Sequence, residues 1–230
     1  MGLWVGISKE DSKVFSGYLA MPPKGFGPGL LLLQEIWGVN GHIRDLAEQY
    51  AADGYVVLAP DMFWRQKTRV ELPYDEAGTA RAYEHLRALD FAQAGADLEA
   101  SIAFLSGLPF VDGGIAALGY CLGGRLAFLA ASSGKIRAAV SYYGSGLGQH
   151  ATQLRSLKCP MLFHFAEQDH LIPVPEAMEW LALIPRQTPV EHFVYAGREH
   201  GFNCPYRPPY GQGDAALAKG RTLQFLAQHL

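Results

Sequence analysis

The sequence predicts an α/β fold: a mostly parallel central sheet with helices on both faces and an antiparallel hairpin at the N-terminus. Three observations predict it. Strand-length apolar runs alternate with segments of helical spacing from residue 29 to the C-terminus, the pattern of parallel strands covered on both faces. The chain has 230 residues, 49% hydrophobic and 18% charged, which suffices for a sizeable core and excludes disorder as the main state. No apolar run approaches the roughly 20 residues that span a bilayer, and the densest one, residues 30–33, is strand-sized.

Each element follows from local pattern. Residues 3–7 and 14–20 read as a hairpin around a polar turn at 9–13, ended by Pro22, Pro23 and the glycines at 25–29. Strands are expected at 29–34, 55–59, 115–118, 138–143, 161–166 and 190–195. Helices are expected at 42–53, 75–89, 95–105, 123–131, 175–184 and 214–229, the last with Asp214 as N-cap. Residues 61–73 form an irregular excursion. With no repeat, low-complexity tract or linker, residues 1–230 are expected to form a single domain.

Charge and cysteine content narrow the function. A net charge of −3 with scattered Lys and Arg argues against nucleic acid and anionic membranes as partners. The N-terminus lacks the basic and apolar segments of a signal peptide. Three cysteines, Cys121, Cys159 and Cys204, are neither a disulfide framework nor a zinc knuckle; reduced thiols in a cytoplasm are the simplest reading.

In open parallel sheets, ligands bind beyond the carboxyl ends of the strands. After the strand at 115–118 comes Gly119-Tyr120-Cys121-Leu122-Gly123-Gly124 and then a helix. This is the G-x-C-x-G form of the nucleophile elbow, whose tight turn leaves no room for side chains at the glycines. Composition alone gives roughly 0.04 matches in a chain like this one, so both pattern and position point to Cys121. The turn should hold Cys121 exposed at a helix N-terminus, where backbone N–H groups stabilise a thiolate. A buried structural cysteine is the alternative.

An elbow needs an acid and then a histidine downstream. Asp169 lies just beyond the strand at 161–166, and His200 just beyond the strand at 190–195. His200 would take the thiol proton and later activate water, while Asp169 orients the ring. Glu167 is a lesser competitor for the acid, and a plain turn residue is the alternative reading of Asp169. Among the other histidines, His164 and His192 lie inside strands, and His42, His85 and His229 fall on helical faces expected to be solvated. His150 is in a loop, and His170 is the serious rival. No HExxH spacing occurs, so no metal is expected.

Backbone N–H groups of Leu122 and of Ile36, in the loop after the strand at 29–34, are placed to form an oxyanion hole. Glu35 is odd there: a carboxylate near a thiolate should either carry a proton or move when substrate binds. The glycine clusters at 25–29 and 144–148 and the pair Gly134-Lys135 fit no nucleotide-binding loop.

At this point the chain resembles the dienelactone hydrolase (carboxymethylenebutenolidase) family of the α/β-hydrolase fold. The likeness spans nearly the whole length: QEIWGVN at 34–40, DGYVVLAPD at 53–61, DLEA at 97–100, GYCLGG at 119–124, YYG at 142–144 and QDH at 168–170. It implies Cys121, Asp169 and His200 as a triad, and Glu35 as the group that holds the resting cysteine and helps to deprotonate it. It also implies Leu122 and Ile36 as oxyanion donors, and no cofactor. Tyr83 and Tyr142 match the family's pocket aromatics, and Trp37, Phe63 and Trp64 could add an apolar wall. Two arginines that hold the dienelactone carboxylate in the family's best-known members fall at Thr79 and Cys204 here. Arg81, Arg198 and Arg207 are the nearby candidates to rebuild an anion site, with Arg81 the one expected to bind substrate.

A cysteine nucleophile favours some substrates over others. A thiolate with conjugate-acid pKa of about 8.5 competes with the leaving group, so enol or phenol oxygens near about 10 leave where plain alkoxides return to substrate. The expectation is a cytoplasmic monomer that hydrolyses small enol lactones or activated esters through an acyl-enzyme. An esterase or thioesterase of unrelated substrate, and a non-catalytic small-molecule binder on the same fold, are the alternatives.

Overall fold

The chain has eight strands: the first two form an N-terminal antiparallel hairpin, and the rest are parallel and alternate with helices, as the sequence predicts. The computed structural model describes residues 2–10 and 12–230, with only the backbone of residues 151 and 152. The chain forms two compact units, Met1–Ile115 and Ala116–Leu230, described in turn.

In the first unit, β1 (Leu3–Glu10) and β2 (Lys13–Ala20) form the hairpin, with Leu3 opposite Leu19 and Glu10 opposite Lys13. β1 runs to Glu10 rather than residue 7. As an edge strand with one solvated face, it carries polar residues that do not announce a strand. Asp11, in the expected turn, lies outside the described residues. β2 pairs antiparallel with β4 (Val56–Pro60), which pairs parallel with β3 (Gly27–Leu33), giving the order β1-β2-β4-β3. The side chains of Leu30, Leu31, Leu32 and Leu33 are fully buried, so this strand shows no alternation.

Side-chain caps set where the helices of this unit begin. Asn40 accepts from Ile43 N at 3.3 Å to start α1 (Gly41–Ala52), and Asp75 accepts from Gly78 N at 2.6 Å to start α2 (Glu76–Arg87). Asp90 accepts from Ala92 N at 2.8 Å and Gln93 N at 3.2 Å, so α3 (Phe91–Ser106) starts earlier than the apolar spacing from residue 95 suggests. His42 is a correction: it is buried on α1, not on a solvated face. The excursion after β4 is folded around Asp61, whose two carboxylate oxygens accept from Phe63 N (3.1 Å) and Arg69 N (2.6 Å).

In the second unit, β5 (Val111–Tyr120), whose start lies in the first unit, pairs parallel with β6 (Ala138–Tyr142) from Ala116 onward. β6 then pairs parallel with β7 (Met161–Ala166), and β7 with β8 (Val190–Tyr195). β7 and β8 have the expected bounds. α4 (Leu122–Ser132) follows β5 directly, and α6 (Val174–Leu181) lies between β7 and β8. A 3-10 turn over Leu147–His150 and a short α5 (Ala151–Leu154) were not expected from the sequence. Asp214 is not an N-cap: α7 (Gln212–His229) starts at Gly211 without a side-chain cap. Asp214 lies in its first turn and pairs with Arg198 Nε at 2.9 Å. No described helix is long and apolar enough to cross a membrane.

Candidate active site

The turn from β5 into α4 is as tight as the glycine pattern demands. A Cβ on Gly119 would sit 2.0 Å from the carbonyl oxygen of Gly123, so no other residue fits. Cys121 between them has φ 54° and ψ −115°, a conformation that costs a non-glycine residue on the order of 1–3 kcal/mol and persists only where its surroundings enforce it. Cys121 N donates to Tyr142 O at 3.0 Å, tying the bend to the end of β6. Leu122 is the first residue of α4, so its N–H has no acceptor within the helix.

Cys121 is not exposed as expected: only 5% of its surface is accessible. The loop after β6 explains this. A Cβ on Gly124 would lie 2.7 Å from Gly144 Cα, so two glycines let the loop close down on the first turn of α4. Ser145 Oγ then sits 3.8 Å from Cys121 Sγ. Exposure does not separate Cys121 from Cys159, which is also 5% exposed; their surroundings do. Burial pushes the Cys159 thiol up to about 12, and its sulfur donates to the carbonyl oxygen of Ala131 at 4.0 Å. All three cysteines are free thiols, and Cys204 is fully buried.

His200 and Asp169 meet in the same unit. His200 Nδ1 lies 2.8 Å from Asp169 Oδ2, and both side chains are buried. The other carboxylate oxygen, Oδ1, accepts from Leu171 N at 2.9 Å, so the turn that makes Asp169 a turn residue also aims it. Tyr143, held at φ 37°, packs its ring edge-on to His200 with centroids 5.0 Å apart. Burial alone would lower the His200 pKa. The negative charge of Cys121 and the hydrogen bond and charge of Asp169 outweigh it and raise the pKa to about 10. Cys121 acts on the ring both through its charge and as a hydrogen-bond partner, although the buried His200 Nε2 has no partner in strict hydrogen-bonding geometry among the described residues.

The competing assignments fare less well. Glu167 is exposed, and its Oε2 accepts from Gly197 N at 2.8 Å. His170 is exposed. His150 and Arg125 are joined to each other, Arg125 Nε to His150 Nε2 at 2.7 Å. Tyr142 is a correction: it is fully buried, and its hydroxyl lies 2.7 Å from Thr222 Oγ1, so its side chain belongs to the core rather than a substrate wall. β6 alternates its side chains between the two faces of the sheet, and the face that Tyr142 takes is packed under α7.

In the first unit, Glu35 and Ile36 follow β3, and both are buried. Glu35 Oε2 accepts from the Tyr74 hydroxyl at 3.0 Å. Trp37 is buried, tilted against Tyr74 at 4.8 Å, with its indole N–H directed to Thr79 Oγ1 at 3.4 Å. Phe63 and Trp64 are core residues here, Trp64 donating to Asp97 Oδ2 at 2.9 Å. Tyr83 and Arg81 are exposed on α2. Of the other arginines considered, Arg198 is committed to Asp214, and Arg207 packs over Gly201, where a Cβ would meet its Nη1 at 2.2 Å. Ser145 is the residue near the thiol that sequence reasoning passed over; its place directly after a strand was the available signal.

A cysteine at a strained strand-to-helix turn after β5, followed by an acid just past β7 and a histidine just past β8, has the chain order of an α/β hydrolase. The dienelactone hydrolase family model matches residues 15–230, and the chain belongs to this family of carboxylic ester hydrolases. The carboxymethylenebutenolidase of Pseudomonas sp. (strain P51) is 34% identical over 223 residues, 96% of this chain and 93% of that one. That of Pseudomonas putida is 34% identical over 224 residues, 97% and 95% of the two chains. A Klebsiella pneumoniae structure provisionally assigned as a dienelactone hydrolase superposes with a TM-score of 0.87 at 27% identity, covering 100% of this chain and 99% of that one.

Proposed function

We propose that this protein hydrolyses small enol lactones or activated esters through a Cys121–His200–Asp169 triad and an acyl-enzyme. The observation that carries the reading is the buried 2.8 Å Asp169–His200 pair, with the charge of Cys121 helping to raise the imidazole pKa. His200 takes the proton from Cys121, and the thiolate attacks the substrate carbonyl carbon. The oxyanion that forms is met by the Leu122 N–H and, on the family resemblance, by the N–H of Ile36. Collapse expels the enolate or phenolate oxygen, which takes the proton from His200. Water, deprotonated by His200, then attacks the thioester; the acid leaves and the thiol is restored. Family resemblance also supports Glu35 as the group that holds the resting cysteine and helps to deprotonate it when substrate arrives.

The leaving group sets the preference. A thiolate is expelled more readily than an alkoxide, so aryl and enol esters should turn over faster than ethyl esters. A second reading, an esterase of uncharged substrates, is favoured by Thr79 and Cys204 at the positions of the family's two carboxylate-binding arginines. Cys204 is fully buried, and Thr79 Oγ1 receives the Trp37 indole N–H. Three free cysteines are compatible with a reducing, cytoplasmic setting. We propose a monomer needing no cofactor, because each group in these steps is supplied by one chain.

A hydrolysis panel of dienelactone, aryl acetates, ethyl acetate and a thioester, run beside Cys121→Ala, tests the proposal. The expected ranking places dienelactone and aryl acetates first, with turnover lost in the variant. Equal kcat/KM for ethyl and aryl acetates would remove the leaving-group argument. Faster turnover of uncharged aryl esters than of dienelactone would select the second reading.

A further inference from the structure

Within the second unit, a polar side chain that the triad does not use lies beside the thiol. Ser145 Oγ lies 3.8 Å from Cys121 Sγ, and either atom can donate. The hydroxyl is carried on a loop with little freedom. Gly144 fits only because it lacks a Cβ, which would fall 2.4 Å from Ser141 Oγ and 3.0 Å from the carbonyl carbon of Gly124. Gly146, at φ 79°, is packed so closely under Arg125 that a Cβ would lie 2.8 Å from Nη1. Arg125 is in turn held by His150. Tyr143 N donates to His164 O at 2.8 Å and fixes the start of the loop. Ser145 is therefore positioned by the packing of residues on either side of it.

From this geometry we propose that Ser145 is a positioning residue for the nucleophile: its hydroxyl donates to the Cys121 thiolate and holds the sulfur for attack while His200 carries the proton. The proposal rests on Cys121 being the nucleophile. A thiolate at this bend is met by the N-terminal N–H groups of α4, which cannot move, and by the cationic ring of His200. Ser145 adds a donor that can turn. An O–H directed at an anion is stronger than one directed at a neutral thiol, so the hydroxyl favours the charged form of the sulfur. The other charged groups to reckon with at the thiolate are Asp169, behind His200, and, on the family resemblance, Glu35.

The test is the pH dependence of Cys121 alkylation by iodoacetamide, mapped by mass, in the wild type, Ser145→Ala and Ser145→Thr. Ser145→Ala should move the Cys121 profile to higher pH by about one unit, a roughly tenfold smaller thiolate fraction at neutral pH. It should also lower kcat several-fold with little change in KM. Ser145→Thr should restore the wild-type profile. Superimposed profiles, or a shift to lower pH in Ser145→Ala, would overturn the proposal while leaving the triad standing. Failure of the parent reading has a different signature: wild-type Cys121 would label no faster than Cys159 and Cys204, and Cys121→Ala would keep its hydrolytic activity.

Discussion

Two imidazoles of the second unit are almost equally buried, yet the protein drives them in opposite directions. His164, on β7, has Nδ1 2.9 Å from the Tyr195 hydroxyl and Nε2 3.0 Å from Thr222 Oγ1. Burial lowers its pKa to about 3, and the positive charge of Arg221 reinforces the effect. His200, just past β8, suffers the same loss of water, but the charge of Cys121 and the bonded carboxylate of Asp169 raise its pKa to about 10. Desolvation is common to both; the partners decide the sign. A neutral ring locked between two hydroxyls is a packing unit. A ring between a carboxylate and a sulfur can hold and return a proton.

The contrast makes graded predictions. Largest is the effect on turnover: His200→Ala should lower kcat by about 10³-fold or more, because the thiol loses its base. His164→Phe should leave the kcat of folded enzyme within a few-fold of wild type. Burst titration of active sites separates lost chemistry from lost protein. Next, Asp169→Asn should cost roughly 10²–10⁴ in kcat through loss of ring orientation and charge, with far-UV circular dichroism unchanged.

Stability should show the reverse ranking. Removing His164 takes one hydrogen-bond partner each from the Tyr195 hydroxyl and Thr222 Oγ1 in the interior, so His164→Phe should lose about 2 kcal/mol in urea unfolding. The pH dependence of that stability should differ between the two sites as well. His164 has a folded pKa below the ordinary histidine value. Its contribution is therefore present above about 6.5 and lost as pH falls toward 3. His200 has a folded pKa above it, so its contribution is present below about 6.5 and lost as pH rises through 10. Thermal unfolding across pH should show the acid limb flattened in His164→Phe and the alkaline limb flattened in His200→Gln. Smallest is the difference between two thiols of equal exposure: at neutral pH, Cys121 should alkylate well before Cys159, whose thiol burial pushes up to about 12.

How much of this was legible in the sequence depends on whether a property is local. β7 is a short apolar run and β8 a short run of β-branched and aromatic residues around Glu191 and His192, both with sharp ends, so their bounds, hence the places of Asp169 and His200, are readable directly. The Gly119–Gly123 contact was readable too, because a tight turn excludes side chains whatever surrounds it. The start of α3 is not legible although Asp90 carries the signal, because Gln93, Gly95 and the small alanines after Phe91 blur the apolar period. β1 was cut short because an edge strand need not alternate. Burial of His42, Tyr142 and Cys121 could not be read from any neighbour in sequence. It depends on which segments fold back over them: for Tyr142 Thr222 on α7, for Cys121 the loop that carries Ser145. That loop reads only as a glycine cluster that fits no nucleotide-binding loop until its contact with α4 is known.

The whole account turns on which atom of the protein becomes acylated. Mixing stoichiometric p-nitrophenyl acetate with the enzyme, quenching in acid within the first turnover and mapping the adduct by mass measures this directly. One acetyl group on Cys121 in the wild type, and none in Cys121→Ala, is the predicted result. An acetyl group on another residue, or undiminished turnover in Cys121→Ala, would contradict it.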